Sequence, residues 1–157
     1  MHDGTRRPRG RMLRFGRKSL VHQIYLVTAV THDREPLFHD FALGRIVVQA
    51  LRFEEQRGQV LSLAFVVMPD HVHWLLELRK SAQLNSVMHA VKGYSGRHIN
   101  AARGTFLQRI WQAGFHDHAI RREEDLRSVA RYMVANPVRA GLVRKVGDYP
   151  LWDAVWI

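Results

Sequence analysis

The stretch FVVMPDHVHWLL, residues 65–76, decides how the chain is organised. Pro69 and Asp70 divide an apolar run into two halves, which predicts a hairpin of two strands joined by a short turn. His71 and His73 stand two residues apart at the start of the second strand, where such positions point to the same face of a sheet. Because neutral imidazole is the commonest metal ligand in proteins, the pair predicts a site for one divalent ion.

Hydrophobic periodicity on either side of this hairpin predicts an α+β domain. Asp40 is placed to cap a helix, while Pro137 and Gly141 end or restart the last helix. The predicted elements are a strand over 20–31, a helix over 40–58, strands over 60–67 and 71–78, a helix over 81–102, one or two short strands within 106–120 and a helix over 123–136. This order is that of a split βαβ, ferredoxin-like sandwich with an added C-terminal helix.

Length and composition indicate one globular domain and exclude several kinds of site. The chain has 157 residues and no cysteine, which excludes disulfides, thiolate zinc sites and thiol nucleophiles. No apolar run approaches the roughly 20 residues that a membrane helix needs. The basic N-terminus lacks the apolar core of a signal peptide. We therefore expect a cytoplasmic protein without a membrane partner.

The charge of the chain is strongly positive and favours a nucleic-acid partner. Lys and Arg number 24 against 14 Asp and Glu, giving a net charge of +10, and arginine supplies most of it. Seven of residues 1–18 are Arg or Lys, which predicts a flexible basic arm ahead of a domain over 19–157. The alternatives are a basic surface that only confers solubility and an arm without a role.

The predicted third helix holds a second group of polar residues. Tyr132 and Asn136 are four residues apart, so they share one helical face. They lie at the edge of the apolar stripe formed by Leu126, Val129, Ala130, Met133 and Val134. A tyrosine hydroxyl can act as a covalent nucleophile, and a carboxamide oxygen can be a third metal ligand. The alternative for Tyr132 is a boundary aromatic residue whose hydroxyl lies in water.

Three blocks of sequence resemble one known family. Residues 68–76 (MPDHVHWLL) resemble the MPxHxHxLL signature of HUH (His-hydrophobic-His) single-tyrosine transposases. Residues 111–126 and 132–143 resemble further blocks of the REP-associated tyrosine transposases, a bacterial branch of that superfamily related to IS200-like enzymes. The resemblance covers about residues 25–152. It implies a ferredoxin-like HUH fold, an antiparallel sheet with helices on one face plus an extra C-terminal catalytic helix.

The resemblance also implies a reaction and its residues. His71 and His73 match the metal ligands, with Mg²⁺ or Mn²⁺ as the ion, and Tyr132 matches the nucleophile that forms a 5′-phosphotyrosine. Asn136 matches the position of a further polar ligand, which in related enzymes is often glutamine. The implied substrate is single-stranded or hairpin DNA of repetitive extragenic palindromes, cleaved and rejoined by a monomer or homodimer. A hairpin-binding protein without turnover and a metal nuclease that uses water remain alternatives.

Basic and aromatic residues complete the predicted DNA interface. The cations expected to contact DNA are Arg14, Arg17, Lys18, Lys92, Arg97, Arg121, Arg122, Arg131 and Arg139. Tyr94 is a rival nucleophile or a packing residue. The aromatic residues Trp74, Trp111 and Phe115 stack unpaired bases or belong to the core. His116 and His118 form a second histidine pair, which supports the site or contacts DNA.

Overall fold

The computed structural model describes residues 22–79, 81–121 and 123–156. The predicted basic arm over 1–18, with Arg14, Arg17 and Lys18, lies outside the described residues, as does Arg122. In the part that is described, no helix combines the length and the apolar character needed to cross a membrane.

Every helix and strand predicted from periodicity is present, and one further strand follows. The elements are β1 (Ile24–Val30), α1 (Phe41–Gln56), β2 (Val60–Met68), β3 (His71–Leu78), α2 (Leu84–Arg103), β4 (His116–Ile120), α3 (Glu123–Val134), α4 (Asn136–Arg139) and β5 (Trp152–Ala154). Strands β2 and β3 form the predicted hairpin, with only Pro69 and Asp70 between them.

The strands form one antiparallel sheet in the order β4-β1-β3-β2-β5. The first four have the arrangement of a split βαβ sandwich, with the histidine-bearing strand β3 in the centre. Strand β5 extends the β2 edge and was not predicted, because three residues are too few to show an alternating pattern.

The two faces of the sheet carry separate cores. On β3, Val72, Trp74 and Leu76 point into the core shared with α1 and α2, and all three are buried. Leu75 points to the opposite face, where it joins a second core with residues of α3. Because side chains alternate along a strand, His71 and His73 share the face of Leu75. The histidine pair therefore lies on the α3 side of the sheet.

Helix α1 begins at the predicted cap. Asp40 accepts a hydrogen bond from the backbone N–H of Ala42 at 2.9 Å, and its own backbone is extended. We expect Asp40→Ala to lower the free energy of unfolding by about 1 kcal/mol, because one N-terminal donor loses its partner. Urea denaturation measures this, with Glu55→Ala on the exposed face of the same helix as the control. Equal stability of both variants would contradict a role for the cap.

Candidate active site

His71 and His73 lie side by side at the start of β3. Their ring centroids are 4.7 Å apart and the ring planes are inclined by 76°. His73 is flanked in the sheet by Thr28 of β1 and Val66 of β2. The pairing on both sides fixes the backbone of this strand, so the relative placement of the two imidazoles is set by the sheet itself.

Each imidazole is anchored through its Nδ1 atom. His71 Nδ1 lies 2.7 Å from Asp70 Oδ1, and His73 Nδ1 lies 2.8 Å from Thr28 Oγ1. An ionised carboxylate only accepts, so Nδ1 of His71 carries a proton, and in the neutral ring this leaves the lone pair on Nε2. The Thr28 hydroxyl oxygen can accept in the same way from His73. This is the arrangement that orients histidines which bind a metal through Nε2.

Asp70 is held in its ionised form. Burial alone would raise its pKa, but hydrogen bonds from His71 and Arg34 outweigh burial and leave the pKa of Asp70 below its ordinary value. Arg34 donates to Asp70 Oδ2 at 3.1 Å, so the two carboxylate oxygens have different partners. Asp70, in the turn before β3, thus fixes the orientation of the His71 ring.

His73 is neutral at neutral pH. Burial, followed by the charges of His71 and Arg139, lowers the pKa of His73 to about 4. A histidine with this pKa keeps its ring lone pair down to mildly acidic conditions. The ring is therefore in the form that a metal ion requires.

The helix that carries Tyr132 is shorter than predicted. The prediction of one continuous helix over 123–136 is wrong at its end, because α3 stops at Val134 and Asn136 opens the separate four-residue helix α4. Pro137 explains the break, since it lacks the N–H that would donate to the backbone oxygen of Met133 in a continuous helix. Tyr132 is 68% exposed and Asn136 is half-buried.

Arg139 joins these two residues. Its guanidinium carbon lies 3.6 Å from the centroid of the Tyr132 ring, and Nη2 donates to the backbone oxygen of Tyr132 at 2.6 Å. The same nitrogen donates to Asn136 Oδ1. The positive charge also acts on His73, whose pKa it lowers. Arg139 is thus electrostatically coupled to the histidine pair while it holds Tyr132 and Asn136, and this role was not predicted.

The other predicted DNA contacts are distributed over several elements. Lys92 of α2 donates to the backbone oxygens of Gln112 (2.7 Å) and Gly114, so it secures the segment before β4. Arg97, Arg121 and Arg131 are exposed. Lys92 and Arg97 belong to the α2 layer, across the sheet from the histidine pair. Contact with DNA remains a prediction for these residues.

The structure separates Tyr94 from the site. Its ring stacks on His98 with centroids 4.0 Å apart and meets Phe53 edge-on at 5.7 Å. These contacts place Tyr94 between α1 and α2, on the face of the sheet opposite His71 and His73. Tyr94 is therefore a packing residue, and Tyr132 is the better placed of the two candidate nucleophiles.

The aromatic residues of the central blocks are buried and belong to the core. Trp74, Trp111 and Phe115 are each less than a tenth exposed. The indole N–H of Trp74 donates to Ser62 Oγ at 2.9 Å, and that of Trp111 donates to Ser95 Oγ at 3.0 Å. The prediction that these three rings stack on unpaired bases is therefore wrong, because their side chains are buried in the core.

The second histidine pair lies on the edge strand β4. His116 is paired with Thr28, the residue that is also paired with His73, so it shares the sheet face of His71 and His73 and lies two strands away from them. Within residues 22–79, 81–121 and 123–156, no three His, Cys, Asp or Glu side chains form a metal-binding group. Asn136, predicted from the sequence as a further ligand, is an amide and so is not one of these residue types.

The chain resembles characterised families over most of its length. Residues 19–136 match the family model described as IS200-like transposase. The chain belongs to the IS200-like transposase family. The REP-associated tyrosine transposase of Escherichia coli (strain K12) is 35% identical over 88 residues, which are 55% of this chain and 50% of that protein. A relative from Haemophilus influenzae is 31% identical over 98 residues, 57% of this chain and 56% of that protein.

A solved structure shares the fold of this family member. The REP-associated tyrosine transposase bound to a REP hairpin superimposes with a TM-score of 0.71 at 26% identity, covering 87% of this chain and 79% of that one. This match confirms the predicted α+β transposase fold. In the sequence comparison, the chain spans about half the length of the curated relatives it matches.

Proposed function

We propose that the chain is a metal-dependent endonuclease and strand-transferase that acts on single-stranded DNA at palindromic hairpins through a covalent link to Tyr132. The observation that carries this proposal is the anchoring of both His71 and His73 through Nδ1 on one face of the sheet. The hairpin substrate is supported by the related transposase bound to a REP hairpin. The net charge of +10 suits a polyanion.

The donor set fits a divalent ion. We assign the Nε2 atoms of His71 and His73 and the Oδ1 atom of Asn136 as its ligands, with Mg²⁺ or Mn²⁺ as the ion. Asn136 Oδ1 accepts from Arg139, but a carbonyl oxygen has two lone pairs and can serve both partners. When bound, the ion withdraws charge from the non-bridging oxygens of the scissile phosphate.

Tyr132 supplies the nucleophile in this proposal. Its phenolic oxygen forms a bond to phosphorus, while the bond from phosphorus to the 3′ oxygen breaks and the departing strand leaves with a 3′-hydroxyl. The phenolic proton is lost to water, and the departing oxygen gains one. The product is a 5′-phosphotyrosine. Attack by another 3′-hydroxyl reverses the step, releases Tyr132 and joins the two strands.

Arg139 contributes to this reaction in two ways, by positioning Tyr132 and by stabilising negative charge. Its contacts with the Tyr132 ring, the Tyr132 backbone oxygen and Asn136 limit how the end of α3 moves relative to α4. Its guanidinium also places positive charge beside the nucleophile, where the phosphate gains negative charge in the transition state. Positioning and charge stabilisation both act on the chemical step more than on DNA affinity.

We expect Arg139→Ala to slow adduct formation about 10- to 100-fold at saturating DNA, with little change in the dissociation constant. Arg139→Lys should recover only part of the rate, because an ammonium keeps the charge but lacks the planar fork. Single-turnover adduct formation and DNA-binding anisotropy measure the two quantities separately. Arg52→Ala, an exposed cation of α1, is the control. A pure loss of affinity would show that Arg139 only contacts phosphate.

The proposed function is tested with hairpin DNA labelled on the 3′ side of the cleavage position. The covalent link retains the 5′ phosphate of that strand, so a denaturing gel should show a labelled protein band that requires Mg²⁺ or Mn²⁺ and disappears with chelator. A matching 5′ label should show a shortened strand ending in a 3′-hydroxyl. Cleavage without the protein band would identify a nuclease that uses water, and binding without cleavage would identify a hairpin-binding protein.

A further inference from the structure

Two adjacent apolar side chains project from the loop that follows α2. Phe106 and Leu107 are each 81% exposed, more than any other large apolar side chain among the described residues. The loop comprises residues 104–109 and is called the 104–109 loop below. Exposed apolar residues that lie together can mark a binding surface.

The 104–109 loop is fixed from beneath by Asn100. This residue of α2 is 9% exposed, and its Nδ2 donates to the backbone oxygen of Gln108 at 3.1 Å. Its Oδ1 accepts from the backbone N–H of Gln108 at 3.1 Å and from Thr105 Oγ1 at 2.6 Å. The side chains at the tip are therefore presented by a braced turn.

Leu107 adopts a conformation that leucine rarely takes. Its φ angle is +56°, in the left-handed region where the Cβ atom meets the following carbonyl. A glycine or asparagine would relieve this strain without changing the turn. The leucine side chain is exposed, so core packing does not account for it. Strain of this kind at an exposed position points to a function for the side chain.

The loop lies at the end of the sheet where His71 stands. The segment after the loop returns to the sheet, since His32 N–H donates to the Ile110 backbone oxygen and Thr31 is bridged to Trp111. Thr31 N–H in turn donates to the backbone oxygen of Asp70, the partner of His71. A DNA strand that reaches His71 therefore passes near this end of the molecule.

The charge around the loop complements a nucleic acid. No Asp or Glu occurs between Glu77 and Asp117, a stretch that contains six Lys or Arg residues. Arg103 precedes the 104–109 loop and Arg109 is its last residue, and both are exposed. Arg103 also pairs with Glu35 at 3.1 Å, which ties the base of the loop to the turn after β1. Exposed apolar side chains beside arginines are suited to binding unpaired nucleotides. The bases stack on the apolar side chains, and the phosphates pair with the guanidinium groups.

We propose that Phe106 and Leu107 form a stacking platform for an unpaired nucleotide beside the DNA hairpin. The base lies against the Phe106 ring, the Leu107 side chain packs against the neighbouring base or sugar, and Arg109 neutralises the adjoining phosphate. This inference rests on the proposed function, because it assigns one part of the DNA that the histidine site would process. In this arrangement the 104–109 loop recognises the unpaired flank of the hairpin, while Tyr132 carries out the reaction.

Fluorescence anisotropy in chelator tests the platform, using a labelled hairpin with unpaired flanks and the same hairpin without them. Phe106→Ala should weaken binding of the flanked hairpin about tenfold and leave the blunt hairpin within about twofold. Phe106→Trp should retain affinity because it keeps the stacking surface. Phe41→Ala, which removes another half-exposed phenylalanine at the start of α1, is the matched control.

A photochemical readout adds direct evidence of contact. With 5-iodouracil placed in the flank, irradiation should cross-link wild type at Phe106 and not cross-link Phe106→Ala. Equal weakening on both DNAs, or no weakening on either, would overturn the platform. A change in sedimentation without a change in DNA binding would also overturn it, by assigning the tip to self-association. Since chelator prevents cleavage, the result is independent of whether Tyr132 forms an adduct.

Discussion

Replacing Tyr132 with phenylalanine should abolish the covalent protein–DNA adduct and leave the fold intact. The change removes only the hydroxyl of a side chain that is 68% exposed, so the core loses nothing. The ring remains, and with it the surface that Arg139 covers. Removing the nucleophile of a covalent mechanism eliminates the step itself, and we expect the adduct to fall by at least about a thousandfold.

Denaturing gels of 3′-labelled hairpin DNA in Mn²⁺ measure this loss, with anisotropy in chelator as the measure of binding. Tyr94→Phe is the matched control, because Tyr94 loses the same atom on the opposite side of the sheet. It should form adduct at the wild-type rate. Adduct that persists in Tyr132→Phe and vanishes in Tyr94→Phe would reverse the assignment. Undiminished strand cleavage by Tyr132→Phe would instead indicate a water nucleophile.

The hairpin that carries the histidines could be predicted because its signals are local. The apolar run, the Pro69-Asp70 turn and the spacing of His71 and His73 all fall within residues 65–76. The side-chain period of two then places both imidazoles on one face without reference to the rest of the chain. The apolar stripe of α3 was predicted for the same reason, since its period lies within one helix.

The supporting residues depend on contacts that are distant in sequence. Thr28 reaches His73 because β1 and β3 are paired in one particular register, which a single strand pattern does not specify. Asp70 lies within residues 65–76, but its hydrogen bond with His71 depends on the geometry of the turn, which the sequence pattern does not specify. Arg139 meets Tyr132 across the break between α3 and α4, where the hydrophobic pattern does not specify the backbone conformation.

The two faces of the sheet carry different kinds of side chains. One face is filled by apolar side chains from α1 and α2, and it receives buried Val72, which stands between the two histidines in sequence. The other face carries His71 and His73 beside the apolar residues that support α3. The core with α1 and α2 thus supports β3 on the face away from the imidazoles. Helices α3 and α4 place Tyr132 and Asn136 on the face that carries His71 and His73. Changes at the site should therefore alter chemistry with modest effects on stability.

Replacing either histidine with glutamine should remove divalent-ion binding and, with it, DNA cleavage. Each imidazole would supply one of three protein donors, so we expect the affinity for Mn²⁺ to fall by more than about 100-fold. Thr28→Val should cost less, about tenfold, because it removes only the partner that orients His73 and leaves the ligand in place. Isothermal titration with Mn²⁺ measures both effects, and thermal unfolding checks the fold.

The order of these effects distinguishes a metal site from a pair of structural histidines. A ligand held loosely still binds at higher ion concentration, so cleavage by Thr28→Val should return as Mn²⁺ is raised. Cleavage by His73→Gln should not return, because no concentration of ion replaces a missing donor within the site. His116→Gln, on the same sheet face but two strands away, should titrate like wild type. If His116→Gln lost Mn²⁺ affinity while His71→Gln and His73→Gln kept it, the ion would lie nearer β4 and the assignment of His71 and His73 would be wrong.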